Sequence, residues 1–297
     1  PSSERARARL DSRRQRGAVW RLAAIRPARG CSSPRVRLAS FPLLRALCAA
    51  GLLALGAAPV RADTVAAASY VVNLGGTIIA TAKFKLTDSS GAYDLALDAN
   101  VTGLAQLVAS GIAKVESSGS VGNGGLNSQS FDLLTRAGGE DFTVKVQYAK
   151  GDVASFVITP PIVNNIDRVP IERKQLNDVN DMLAAFVRRG PLDKSLCNYH
   201  AQVFTGIERF DLDFHYAKDD VATSLRTGYQ GPVVLCAVKY KPISGHYTTS
   251  ELTNSLAQDD RILIWYAPLR DTGYLIPYRV LLTTSMGDLS MVLTSLS

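Results

Sequence analysis

"RFDLDFHY", residues 209 to 216, is the stretch whose reading decides the fold. Phe210, Leu212, Phe214 and Tyr216 share one face and Arg209, Asp211, Asp213 and His215 the other, since successive side chains of an extended chain point in opposite directions. Strict alternation with one polar face marks a half-buried antiparallel strand. The same period runs through "FTVKVQY", where Phe142, Val144, Val146 and Tyr148 align, and through "IIATAKFKL", where Ile78, Ala80, Ala82, Phe84 and Leu86 alternate with Ile79, Thr81, Lys83 and Lys85. Further strands are expected at 66–73, 91–101, 111–121, 129–136, 152–158, 199–205, 232–241, 260–267, 275–284 and 288–296. Between them lie "NLGG", "DSSG", "GNGG", "AGGED" and "AKGD", which carry the residues that reverse a chain tightly.

One segment has a different period. In "DVNDMLAAFVRRGP" (178–191), Val179, Met182, Leu183, Phe186 and Val187 repeat at i, i+3, i+4, i+7 and i+8, which predicts an amphipathic helix over 178–189. Asp178 is placed to cap its start with Asp181 favourable in the first turn, Arg188 and Arg189 to face the negative end of its dipole, and Gly190-Pro191 to stop it. "GLAQLVASG" (103–111) is a second, shorter candidate helix. Many strands and one clear helix, with no alternation of strand and helix, exclude doubly wound and α/β barrel folds. The expectation is a mainly β protein: a long, curved antiparallel sheet, an open barrel or β-spiral, with that helix covering its concave face. The stretch 158–175 is expected to be the loop that leads from the first strands to the helix.

The first 62 residues have another character. A basic flank precedes the uncharged run "ALCAAGLLALGAAPV" (Ala46–Val60), and Val60 and Ala62 occupy the small-residue positions of a signal-peptidase site. Fifteen uncharged residues fall short of the roughly 20 needed to span a bilayer. The pattern predicts a signal peptide over 36–62 cut between Ala62 and Asp63, with 1–35 an overrun upstream of the true start, and 63–297 a single periplasmic β domain without a membrane span. Residues 1–62 hold 13 Lys and Arg against 2 Asp and Glu, so the whole-chain net charge of +7 becomes −4 for residues 63–297. A domain of that sign does not attract a phosphate backbone, which argues against a nucleic-acid partner.

Of four cysteines, Cys31 and Cys48 precede the cleavage point, and Cys197 and Cys236 remain. Two thiols in an oxidising compartment are most simply one disulfide. Cys197 with His200 is also spaced like half a metal site, and Asp211, Asp213 and His215 form a polar array on one strand face. Neighbours on one face of a strand stand nearly 7 Å apart, too far for three consecutive positions to close on one ion, so a solvated face is the preferred reading. There is no G-x-S-x-G elbow, H-E-x-x-H helix or G-K-[ST] phosphate loop, and His200, His215 and His246 are the only histidines. No catalytic residue and no cofactor are therefore expected.

"YVVNLGGTIIATA", "LNDVNDMLAAFV", "CNYHAQVFTGIERFDLDF", "CAVKYKPISGH" and "IWYAPLRDTGYLIPYRVLLTTSMGDL" follow one another along the chain. In that order they resemble the periplasmic family known as domain of unknown function 3108, common in Gram-negative bacteria. The resemblance implies an exported β protein related in shape to curved-sheet periplasmic proteins that serve envelope integrity or carry lipidated cargo, and it brings no catalytic residues. The function expected is a noncatalytic, monomeric periplasmic module that binds a partner protein or an extended apolar or lipid ligand, as part of cell-envelope maintenance. The alternative is a metal-dependent or hydrolytic envelope enzyme that uses the Asp211, Asp213 and His215 face.

Overall fold

The computed structural model describes residues 63–102, 111–258, 262–284 and 287–297. The proposed cleavage residue Ala62 and most of the shorter candidate helix, 103–110, lie outside them. The strands are β1 (Thr64–Leu74), β2 (Thr77–Ser89), β3 (Ala92–Val101), β4 (Gly111–Val121), β5 (Leu126–Ala137), β6 (Glu140–Ala149), β7 (Asp152–Thr159), β8 (Arg188–Arg189), β9 (Tyr199–Phe204), β10 (Arg209–Ala222), β11 (Gly231–Ser244), β12 (Ile262–Pro268), β13 (Tyr274–Thr284) and β14 (Gly287–Leu296), with helix α1 (Glu251–Gln258) between β11 and β12. They form one antiparallel sheet in the order β7-β6-β5-β4-β3-β2-β1-β14-β13-β12-β11-β10-β9, with the short β8 paired to β13. The first and last strands meet in its middle, where Ala68 pairs with Leu296 and Leu74 with Leu289.

Alternation in the sequence becomes alternation in burial. Ala82, Phe84 and Leu86 of β2 are buried while Lys83 and Lys85 are exposed, and Val144, Val146 and Tyr148 of β6 are buried. In β10, Leu212 and Phe214 are buried but Tyr216 is 42% exposed. The β9–β10 ladder ends at Phe214, so Tyr216 has no paired strand on that side, and the register with β11 shifts just after it.

The sheet curls until its two edge strands approach each other without a backbone ladder. The Phe156 ring of β7 stands edge-on to Phe204 of β9 with centroids 5.2 Å apart, and the Tyr148 hydroxyl donates to the Phe204 carbonyl at 2.9 Å. A separate segment joins the seam. Val179 N–H donates to the Gly151 carbonyl in the β6–β7 turn, while Asn180 N–H donates to Gln202 and accepts from Phe204 N–H through its carbonyl, at 2.9, 2.8 and 3.0 Å.

That segment is where the predicted helix over 178–189 fails. Asp178 sits at φ +51° and Asn180 is extended against β9, so neither begins a helix. Only Ala185 N–H to the Asp181 carbonyl, 3.1 Å, has α-helical spacing; Phe186 to Leu183 and Val187 to Ala184 close a 3-10 turn over Ala184–Phe186, and Arg188–Arg189 then joins the sheet. Asn and Asp side chains compete for nearby backbone groups, and here Asp181 Oδ1 takes the N–H groups of Leu183 and Ala184 at 2.8 and 2.9 Å. The α-helix among the described residues is instead α1. The packing expectation survives the change of conformation, because Val179, Ala184 and Val187 are buried and Met182, Leu183 and Phe186 pack against the same interior. Residues 178–189 therefore act as a plug made of turns.

Beyond β7, the stretch 160–172 runs beside the β11–α1 connection. Arg168 ties it down, donating from Nε to the Gly245 carbonyl and from one terminal nitrogen to the Ile207 carbonyl, both at 2.7 Å.

Candidate ligand cavity

Inward-facing side chains of the curled sheet do not fill its interior. A cavity of about 440 Å³ remains, within the range of about 300–1,000 Å³ usual for small-molecule sites. Val72, Leu282, Leu289 and Leu256 line it at the end that carries the β1–β2 and β13–β14 turns and α1. Leu183, Phe186 and Val187 of the plug line its opposite side. Between them, Phe84, Leu212, Val238, Ile264, Ile276 and Val280 supply the wall.

The lining offers almost nothing polar. Tyr70 reaches the cavity, but its hydroxyl already donates to the Pro277 carbonyl at 3.0 Å, and burial, then the neighbouring Tyr266, pushes its pKa well up. Tyr240 is held neutral in the same way, its pKa pushed up to about 12 by burial and then by the charge of Glu208. The cavity thus presents hydrocarbon and neutral phenols, with no charge, base or nucleophile aimed into it.

The plug is anchored by a buried carboxylate. Asp181 is fully buried; Ser117 donates to its Oδ2 at 2.6 Å, Ser128 donates to the same oxygen, and Tyr93 hydrogen-bonds Ser117 at 3.1 Å. Ser128 Oγ also accepts the Asp181 N–H at 2.9 Å and donates to Asn180 Oδ1. Burial raises the Asp181 pKa, opposed by the two serines and by the Ala184 and Leu183 amides. The hydroxyl of Ser128 has one proton and two oxygens asking for it, which a proton on Asp181 would resolve.

Beyond the plug, the chain is tied by the Cys197–Cys236 disulfide, with Cα atoms 5.3 Å apart and both residues fully buried. This joins the 3-10 turn Lys194–Cys197 to β11 and is the pairing the sequence led us to expect. The polar array of β10 is drawn together differently from the single-strand reading. Asp213 pairs across to β9, where His200 Nδ1 lies 2.6 Å from its Oδ1, and Asp211 Oδ1 accepts from Arg209 at 2.5 Å. His215 lies beyond the last β9–β10 pair, Phe214 with Tyr199, and is exposed. Among the described residues no group of three or more His, Cys, Asp or Glu is placed to hold a metal ion. No described helix is long and apolar enough to cross a membrane.

Sequence reasoning found one wall of the cavity, the plug, through its apolar repeat. It missed the remaining walls, because they are single residues drawn from many strands and the period of each strand says only that they face inward. Asp181 was legible as a helix-favouring acid, not as a buried anchor, since its serine partners lie 64 and 53 positions away.

Fold and cavity define a barrel-like antiparallel β protein with an apolar interior stoppered at one end. The chain belongs to the family described as Protein of unknown function (DUF3108), whose model matches residues 69–294. No curated protein matches the sequence significantly. Among solved structures, the crystal structure of a beta-barrel-like protein of domain of unknown function DUF1849 from Brucella abortus is similar at a TM-score of 0.45 and 12% identity, covering 78% of this chain and 97% of that one.

Proposed function

We propose that this protein is an exported, noncatalytic periplasmic module that houses an extended hydrocarbon chain in the barrel interior, in the service of the cell envelope. The observation that carries the reading is the cavity of about 440 Å³ with its apolar lining. Each methylene moved from water into such a space gains about 0.8 kcal/mol. A peptide segment would bring an N–H and a carbonyl per residue, each costing about 2–7 kcal/mol when buried without a partner, and the lining has almost no partner to give. The comparison favours an acyl chain over a partner's peptide. Export is supported by the basic flank and apolar run before Asp63 and by a disulfide, which persists in oxidising compartments.

The test is native mass spectrometry of the full chain after gentle isolation, together with titration of a fluorescent long-chain fatty acid. Saturable one-to-one binding, competed by an unlabelled fatty acid and not by a peptide of equal length, is the expected result. Absence of both bound lipid and saturable binding would overturn the reading.

A further inference from the structure

On the opposite side of the plug from the apolar cavity lies a second pocket of about 430 Å³ with a different chemistry. Its walls are the glycine-rich turn Gly122–Gly125, the start of β5, the seam residues 178–180, and Tyr199 to Gln202 of β9, with Arg188 among them. The plug divides the two spaces by side: Leu183, Phe186 and Val187 face the apolar cavity, while Ala184, Ala185 and Arg188 line this one.

Arg188 is held firmly and left unsatisfied. Its guanidinium carbon stacks 3.8 Å above the centre of the Tyr199 ring, and β8 fixes its backbone against Leu275 on one side and Gly125 on the other. Gly124 and Gly125 lean on its terminal nitrogens: a Cβ on Gly125 would stand 2.9 Å from one, and a Cβ on Gly124 3.4 Å from the other. Its Nε is buried with no hydrogen-bond partner. Arg209 and Arg168, which also enter the fold, show the contrast. Arg209 donates to the Gln175 and Phe210 carbonyls, to Asp211 and to Gln202, and Arg168 to the Gly245 and Ile207 carbonyls and to Asn165. Asp178, the one carboxylate on the pocket wall, forms no ion pair with Arg188 among the described residues. Burying Nε without an acceptor is costly, and the planar fork of a guanidinium matches a carboxylate or a phosphate.

We propose that Arg188 is the anchor of an anion-binding site that takes a small oxyanion, a carboxylate or a phosphate, in the pocket between the Gly122–Gly125 turn and Tyr199. The site is independent of the hydrocarbon cavity, since the plug separates them. Asn123, Asn127, Gln202 and His200 on the same walls are further polar groups beside it, with the Asp178 carboxylate also on the wall.

The test follows the side-chain N–H of Arg188 by NMR in the ¹⁵N-labelled full chain, assigned by its loss in Arg188→Lys. Inorganic phosphate, acetate and chloride are titrated in separate arms at matched ionic strength. The expected result is a saturable shift with phosphate or acetate and none with chloride, the stronger arm naming the oxyanion. Arg188→Lys keeps the charge but not the fork, and should weaken that affinity by about tenfold or more. Equal shifts with all three salts, or no saturable shift with either oxyanion, would overturn the site. A thermal midpoint raised by the oxyanion equally in wild type and Arg188→Lys would overturn it as well.

Discussion

Asp181 is the residue on which the plug turns. It has four donors around its carboxyl group and complete burial, yet burial dominates and its pKa is raised. The folded state therefore holds this proton more tightly than the unfolded chain does. The associated stability is fully present below the unfolded value of 3.8 and is lost as pH rises through the folded pKa. Asp181→Asn is neutral at every pH, and its amide can donate to Ser117 and Ser128 while its oxygen still accepts the two backbone amides. Denaturation of wild type and Asp181→Asn across pH 4 to 8 should show the wild type losing ground as pH increases, until its folded pKa is passed. A constant difference between them would contradict this account. The position illustrates what the sequence conveyed and what it did not. An aspartate among Met, Leu and Ala reads as a favourable charge in a helical first turn; only the approach of β4 and β5 makes it an interior group.

At the scale of elements, the places and order of the long strands were legible from their periods and turns, though not every length: β10 runs on to Ala222, past the expected 216, and the short β8 was not foreseen. The expected 111–121 coincides with β4, and 275–284 differs from β13 by one position. The plug was not legible, because the spacing of Val179, Met182, Leu183, Phe186 and Val187 is satisfied equally by a helix and by turns that face the same interior. Gly206 shows how tightly the seam beside it is built. It has φ +84°, and a Cβ there would stand 2.1 Å from Val144 Cγ1. Gly206→Ala combines a disfavoured backbone with overpacking, and should cost about 3 kcal/mol by denaturant titration. The disulfide fixes the chain just beyond the plug, across 39 positions. Its removal by Cys197→Ala with Cys236→Ala should lower stability by about 4 kcal/mol on the chain-entropy estimate, and a reductant should reproduce the loss in the wild type only.

For the molecule as a whole, the interior is left partly empty, which distinguishes a container from a structural block. Val280 faces that space from β13 and is half-buried. Val280→Trp should occupy part of the cavity and weaken fatty-acid binding by about tenfold or more, with a thermal midpoint close to wild type, since added volume enters free space and not a packed core. Unchanged binding would place the ligand elsewhere. The sheet order carries a consequence of its own. Residues 64–74 pair with 287–296 at the centre of the sheet, so the two halves of the wall have no ladder between them until the final strand has been synthesised. A ribosome-bound fragment can form hairpins but cannot complete the enclosure, and contacts of such long sequence separation make the last step of folding slow. Until β14 has been made, the two halves of the wall remain separate hairpin arrays.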